Sequence, residues 1–145
     1  MKAFYTRPDP SYALATGAGS RRNNKNKGNK TMDVKSTLKV YHQADHPGKR
    51  GVTDGQTYQR LVGWPEVQET DRVRIGRATY KPGTYEQLHW HPIEACYYVI
   101  SGHATVRNLE GEEYEVSAGS MIYAPPGIAG AHEWEVKEAL ELLDI

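Results

Sequence analysis

Gly83-Thr-Tyr-Glu-Gln87-Leu-His89-Trp-His91-Pro-Ile-Glu94-Ala95-Cys-Tyr97-Tyr-Val-Ile-Ser-Gly102 sets two imidazoles two residues apart on a stretch that reads as a strand. Side chains at i and i+2 of a strand point to one face. Inside a barrel both rings reach a single ion, because neutral imidazole is a favoured ligand for borderline transition metals. The stretch therefore predicts half of a buried metal site.

The surroundings fit a barrel. Segments near 57–62, 73–80, 86–91, 95–101, 103–109, 112–117, 120–124, 131–136 and 139–145 are short and rich in Val, Ile, Tyr, Trp and Thr. Turn residues separate them: Lys81-Pro82-Gly83, Gly102, Glu110-Gly111, Ala118-Gly119 and Pro125-Pro126-Gly127. This spacing, without a 3.6-residue period, predicts an all-β sandwich or barrel. The one helix candidate is a short turn around Glu135 to Leu140.

The N-terminal part has a different composition. Residues 1–31 carry seven Lys or Arg against Asp9, and the remainder carries 11 basic and 17 acidic residues, so the formal charge of zero is unevenly spread. Gly17 to Lys30 has Ala18 as its only hydrophobic residue and cannot offset the cost of ordering its backbone. A flexible basic arm over 1–31 and a single domain over 32–145 are expected, with Met32 as an alternative natural start. Arg21, Arg22, Lys25, Lys27 and Lys30 raise nucleic-acid binding, but no base-stacking aromatics are interleaved among them, so a solvated tail is the expected reading. Phe4, Tyr5 and Tyr12 leave the option of an arm docked on a neighbouring subunit. With one cysteine, no long apolar run and no secretory-type leader, a cytoplasmic protein without membrane association is the default.

The motifs of this chain resemble those of the cupins, jelly-roll barrels of the RmlC-like type. Their first motif runs Gly, five residues, His-x-His, three or four residues, Glu, six residues, Gly, and here Gly83, His89, His91 and Gly102 fall on it over 83–102. Their second runs Gly, five residues, Pro-x-Gly, two residues, His, and Gly119, Pro125 and Gly127 match it over 119–132. The resemblance covers roughly 57–145 and implies a double-stranded β-helix, that is, a jelly-roll barrel. It implies no single reaction, since cupins include dioxygenases, isomerases, lyases, cyclases, storage proteins and regulators.

Two departures reshape the expected site. Ala95 stands at the motif's glutamate position, with Glu94 one residue early. Strand parity sends Glu94 to the opposite face unless the chain after Pro92 bulges, so it is either a displaced ligand or a surface residue. In the second motif the histidine arrives two residues late, as His132, an insertion that preserves parity. His89, His91 and His132 are therefore the expected ligands, holding a divalent transition metal with open positions. Fe(II) is the first choice if O2 is used, with Zn, Mn, Ni or Cu as alternatives. Three neutral imidazoles leave the ion's charge uncompensated, which favours an anionic or enolate-forming small-molecule substrate.

Parity assigns the rest. Gln87 joins the two histidines inward while Glu86, Leu88 and Trp90 face out. Ala95, Tyr97 and Val99 then face in, and Cys96, Tyr98 and Ile100 face out. Tyr97, Glu94 and Gln87 are the candidate catalytic residues; for Tyr97 a barrel-filling role is the alternative. The apolar outer face needs a cover, and the resemblance favours a homodimer. His42, His46 and His103 are read as structural or exposed, and the acidic run Glu110, Glu112, Glu113 and Glu115 as a solvated hairpin. Three functions remain open. The first is a metal-dependent enzyme, foremost a dioxygenase, acting on a small oxygenated or anionic substrate that chelates the metal. The others are a redox-neutral lyase, isomerase or cyclase, and a non-catalytic ligand-binding cupin.

Overall fold

The expected strands form at the expected places. The computed structural model describes residues 36–145, and the arm expected over 1–31 lies outside them. In chain order the strands are β1 (Lys49–Arg50), β2 (Gln56–Val62), β3 (Ile75–Tyr80), β4 (Tyr85–His89), β5 (Ala95–Ser101), β6 (His103–Asn108), β7 (Glu113–Ser117), β8 (Met121–Ala124), β9 (His132–Val136) and β10 (Leu140–Asp144). They make a six-stranded sheet, ordered β1-β2-β3-β10-β5-β8, and a four-stranded sheet, ordered β4-β9-β6-β7, with every pairing antiparallel.

Alternation along the strands builds the core between the sheets. Ala78 and Tyr80 of β3, Ala95, Tyr97 and Val99 of β5 and Leu140 and Leu142 of β10 face inward from one sheet. Ala104 and Val106 of β6, Val116 of β7 and Trp134 and Val136 of β9 are buried from the other. The acidic run Glu110 to Glu115 is exposed around the β6–β7 hairpin, as expected.

No helix forms over Glu135 to Leu140. The Val136 carbonyl accepts from Gly83 N (2.9 Å), and the amides of Lys137 and Glu138 both donate to His103 O (2.9 and 3.0 Å), so the neighbouring turns take up the backbone groups a helix would use. Gly102 makes this junction possible. It sits at φ 89°, and a Cβ there would lie 2.1 Å from Ala139 O. Short 3-10 turns occur instead at Gln43–Asp45 and Ile128–Gly130. Among the described residues no helix is long and apolar enough to cross a membrane.

Candidate metal centre

β4 is one of the two edge strands of the four-stranded sheet, and its pairing with β9 slips. Glu86 opposes Trp134 and His89 opposes His132, so three steps along β4 match two along β9. Such a bulge shifts side-chain parity by one. It sets Glu86 and His89, three residues apart, on the same inner face, and it turns Gln87 out. Gln87 is exposed and Glu86 is only 7 % exposed, the reverse of the parity expected from sequence.

Beyond β4, the His91 carbonyl accepts from Gly127 N at 2.7 Å, which ties the first histidine stretch to the second motif. The extra residues there form the 3-10 turn Ile128–Gly130. Gly130 is required by close approach, since a Cβ on it would lie 1.9 Å from Pro125 O. The turn delivers His132 to the first position of β9, directly opposite His89. His89, His91 and His132 each offer a nitrogen, and these lie within 4.8 Å of one another. Ring centroids are 4.5 Å apart for His89 and His132 and 5.0 Å for His89 and His91.

The backbone fixes two of these rings. His89 Nδ1 lies 2.8 Å from Gln87 O and His132 Nδ1 lies 2.7 Å from Gly130 O. A carbonyl only accepts, so each Nδ1 carries the proton and each Nε2 presents a lone pair. His132 Nε2 is buried without a hydrogen-bond partner among the described residues. Burial, with a smaller contribution from neighbouring imidazoles, holds the pKa values of His91 and His132 below the usual histidine value, which favours the neutral, ligating form. Three convergent nitrogens, two of them on rings oriented by carbonyls and one of those two, His132 Nε2, otherwise orphaned, fit a divalent metal ion.

The trio stands at a partition between two cavities. His89 and His91 line one of about 680 Å³ together with Glu86, Tyr97, Trp134 and Asp144. His132 lines a smaller one of about 330 Å³ with Val106, Val116 and Ile122. The Tyr97 hydroxyl lies 3.0 Å from His91 Nε2. Burial, with lesser contributions from Asp144 and Glu86, pushes the Tyr97 phenol well above its usual value, so it stays protonated. Tyr58 donates to Asp144 (2.8 Å), and Gln56 Nε2 donates to the Tyr80 hydroxyl (2.7 Å), all four residues lining the larger cavity.

Of the residues singled out from sequence, the structure brings together His89, His91, His132 and Tyr97. It leaves out Gln87, for the bulge just described, and Glu94. Of the two alternatives for Glu94 the structure shows the surface one: the bend over Pro92 and Ile93 leaves it exposed, where its carboxylate accepts from Tyr123 (3.1 Å). Ala95 is buried at the start of β5. The residue that the sequence reading missed is Glu86, whose Oε1 lies 3.8 Å from His89 Nε2. A carboxylate three residues before the first histidine was the available signal, but parity discards it unless the bulge is known.

A family model described as the cupin domain matches residues 76–145, which include both motifs. Over these residues the chain belongs to the cupin superfamily. Its two sheets overlay solved cupin-fold structures at sequence identities that speak to fold alone. The polyketide cyclase RemF from Streptomyces resistomycificus aligns with TM-score 0.65 and 21% identity over 74% of this chain and 77% of that one. Ectoine synthase from P. lautus aligns with TM-score 0.61 and 17% identity over 74% and 75%. The DMSP lyase DddQ from Ruegeria pomeroyi gives TM-score 0.61 and 17% identity over 70% and 55%. In sequence, a mannose-1-phosphate guanylyltransferase from Salmonella montevideo is 26% identical over 122 residues, and this cupin chain spans only 24% of that relative's length.

Proposed function

We propose that this cupin is a metal-dependent enzyme that eliminates from, cyclises or isomerises a small oxygenated or anionic organic molecule without net oxidation. The observation that carries the reading is Tyr97, a buried and protonated phenol placed 3.0 Å from a nitrogen of the trio and facing the larger cavity. His89, His91 and His132 would hold the metal ion, which would supply Lewis acidity toward a substrate oxygen. Tyr97 gives a proton to a substrate atom that gains negative charge beside the trio. Trp134 and Leu142, both buried, add apolar surface to the inner wall of the cavity. Exposed Lys49, Arg50 and Arg60 at the mouth support an anionic substrate; Arg60 is engaged with Glu66 and Arg50 with Asp54, whereas Lys49 has no ion pair among the described residues. Cyclase, lyase and ectoine synthase descriptions among the similar structures are consistent with redox-neutral chemistry.

The dioxygenase expected from sequence uses the same trio with Fe(II), and one experiment separates the two. Purified protein is assayed for metal content and then, with a panel of small hydroxy and keto acids, for product mass and O2 uptake. Loss of water or rearrangement without O2 uptake is the expected result. Substrate-dependent O2 uptake by an iron-loaded protein would overturn it in favour of the dioxygenase, and binding without turnover would leave a ligand-binding cupin. The homodimer is part of the same proposal. It is supported by the outer face of β5 and β8, where Tyr98, Ile100, Met121 and Tyr123 are exposed. Sedimentation equilibrium tests it.

A further inference from the structure

We propose that Glu86 is the carboxylate ligand of the metal centre, replacing the glutamate that the motif lacks at Ala95. The inference rests on the three-histidine reading above.

Two deficits in the structure point to it. Glu86 is 7 % exposed, yet among the described residues no lysine or arginine pairs with it. A carboxylate is expensive to bury without a cation or a full set of hydrogen bonds. Its polar neighbours are the Tyr80 phenol, which burial and then the Glu86 charge push up, and His89 Nε2 at 3.8 Å. That His89 nitrogen is the one left with a free lone pair by the Gln87 carbonyl. The second deficit is His132 Nε2, buried with no donor to satisfy it. A single cation held by the trio answers both: it pairs with the Glu86 charge and accepts the His132 lone pair.

The backbone geometry makes the placement specific. Without the β4 bulge, Glu86 and His89 would lie on opposite faces, because an odd separation alternates them. The slip in pairing brings the carboxylate to the cavity that His89 and His91 line. With Glu86 bound, the centre carries three neutral donors and one anionic one, so its net charge falls from +2 to +1. The carboxylate thus approaches from the strand before the histidines, whereas the motif's glutamate would have come from the strand after them.

The test uses Glu86→Gln, which keeps shape and removes charge, with Zn(II) and Co(II) as probes and His132→Ala as the reference variant. Zn(II) affinity, from chelator competition, is expected to fall roughly tenfold or more, and the thermal shift that Zn(II) induces to shrink with it. The Co(II) visible spectrum is expected to change, since a ligand is lost. In chelator, the midpoint of the variant is expected to equal or exceed that of the unaltered protein, because an unpaired buried charge has gone. Unchanged affinity, or lowered affinity with an unchanged Co(II) spectrum, would overturn direct ligation. Glu86→Asp, which keeps the charge, is expected to retain affinity between the two; an Asp variant no better than Gln would also count against it. If His132→Ala abolishes binding while Glu86→Gln leaves it intact, this inference alone fails. If the unaltered protein binds neither ion, the three-histidine reading fails and takes this one with it.

Discussion

β4 and β5 carry successive halves of one sequence motif but obey different rules. β5 has a neighbour on each side, β10 and β8, and from Ala95 to Val99 its side chains alternate strictly between core and outer face. β4 has β9 alone and bulges between Glu86 and His89. β5 also slips, against β10 between Val99 and Ser101, but only past its last pair with β8 at Tyr98; where both ladders are present a slip would break two, whereas an edge strand breaks one. The candidate ligands lie on the strand that could bend: β4, its continuation to His91 and its partner β9 supply the three histidines, while β5 and β10 supply the packing.

The largest effects should split along that line. His91→Ala and His132→Ala are expected to lose metal binding by well more than the roughly 10–100-fold that removing an outer partner costs, with the β-sheet circular dichroism intact. Leu142→Ala, at a side chain with 0% exposure on β10, should cost about 2–5 kcal/mol in denaturant unfolding, while the folded fraction keeps its full metal stoichiometry. Metal loss in the leucine variant, or unfolding in the histidine variants, would break the division between the two strand pairs.

The same division explains what was legible in the sequence. Strand positions from Gln56 to Asp144 followed from turn residues and β-branched runs, and the inward set Ala95, Tyr97 and Val99 followed from parity, because β5 is regular there. The trio followed from spacing, since the delay before His132 was even and kept parity. Glu86 and Gln87 were exchanged, because a bulge on an edge strand is decided by its pairing with β9, which lies far away in sequence and leaves no local trace in Tyr85 to His89. Glu94 stayed open between ligand and surface for a related reason: its orientation depends on how Pro92 and Ile93 bend between the sheets, not on a count of residues.

Tyr97 belongs to both halves of the comparison, with its ring in the β5 core and its hydroxyl at His91. Tyr97→Phe keeps the ring. It is therefore expected to leave metal content unchanged and to alter stability by about 1 kcal/mol, while lowering turnover by roughly 10²-fold or more. Equal turnover in the two proteins, once a substrate is in hand, would return Tyr97 to the packing side.

A smaller effect comes from pH. Burial holds His91 and His132 below the usual histidine value in the folded protein, so between the folded and unfolded values the unfolded chain binds more protons. In chelator, the stability these groups contribute is present above their unfolded value of about 6.5 and is lost as pH falls through the folded values. His132→Gln should flatten that decline; an equally steep profile would mean that other groups govern it.

The smallest effect is expected at Gln87, and it tests the bulge directly. If β4 were regular, the Gln87 side chain would point at the metal and its truncation would disturb ion or substrate. In the bulged strand only its carbonyl reaches the site, accepting from His89 Nδ1, and Gln87→Ala leaves that carbonyl in place. Metal affinity and turnover should then stay within about twofold and stability within about 0.5 kcal/mol, as for other exposed positions. A tenfold loss in either function would show that the strand relaxes to regular pairing in solution, which would turn Glu86 back out of the cavity.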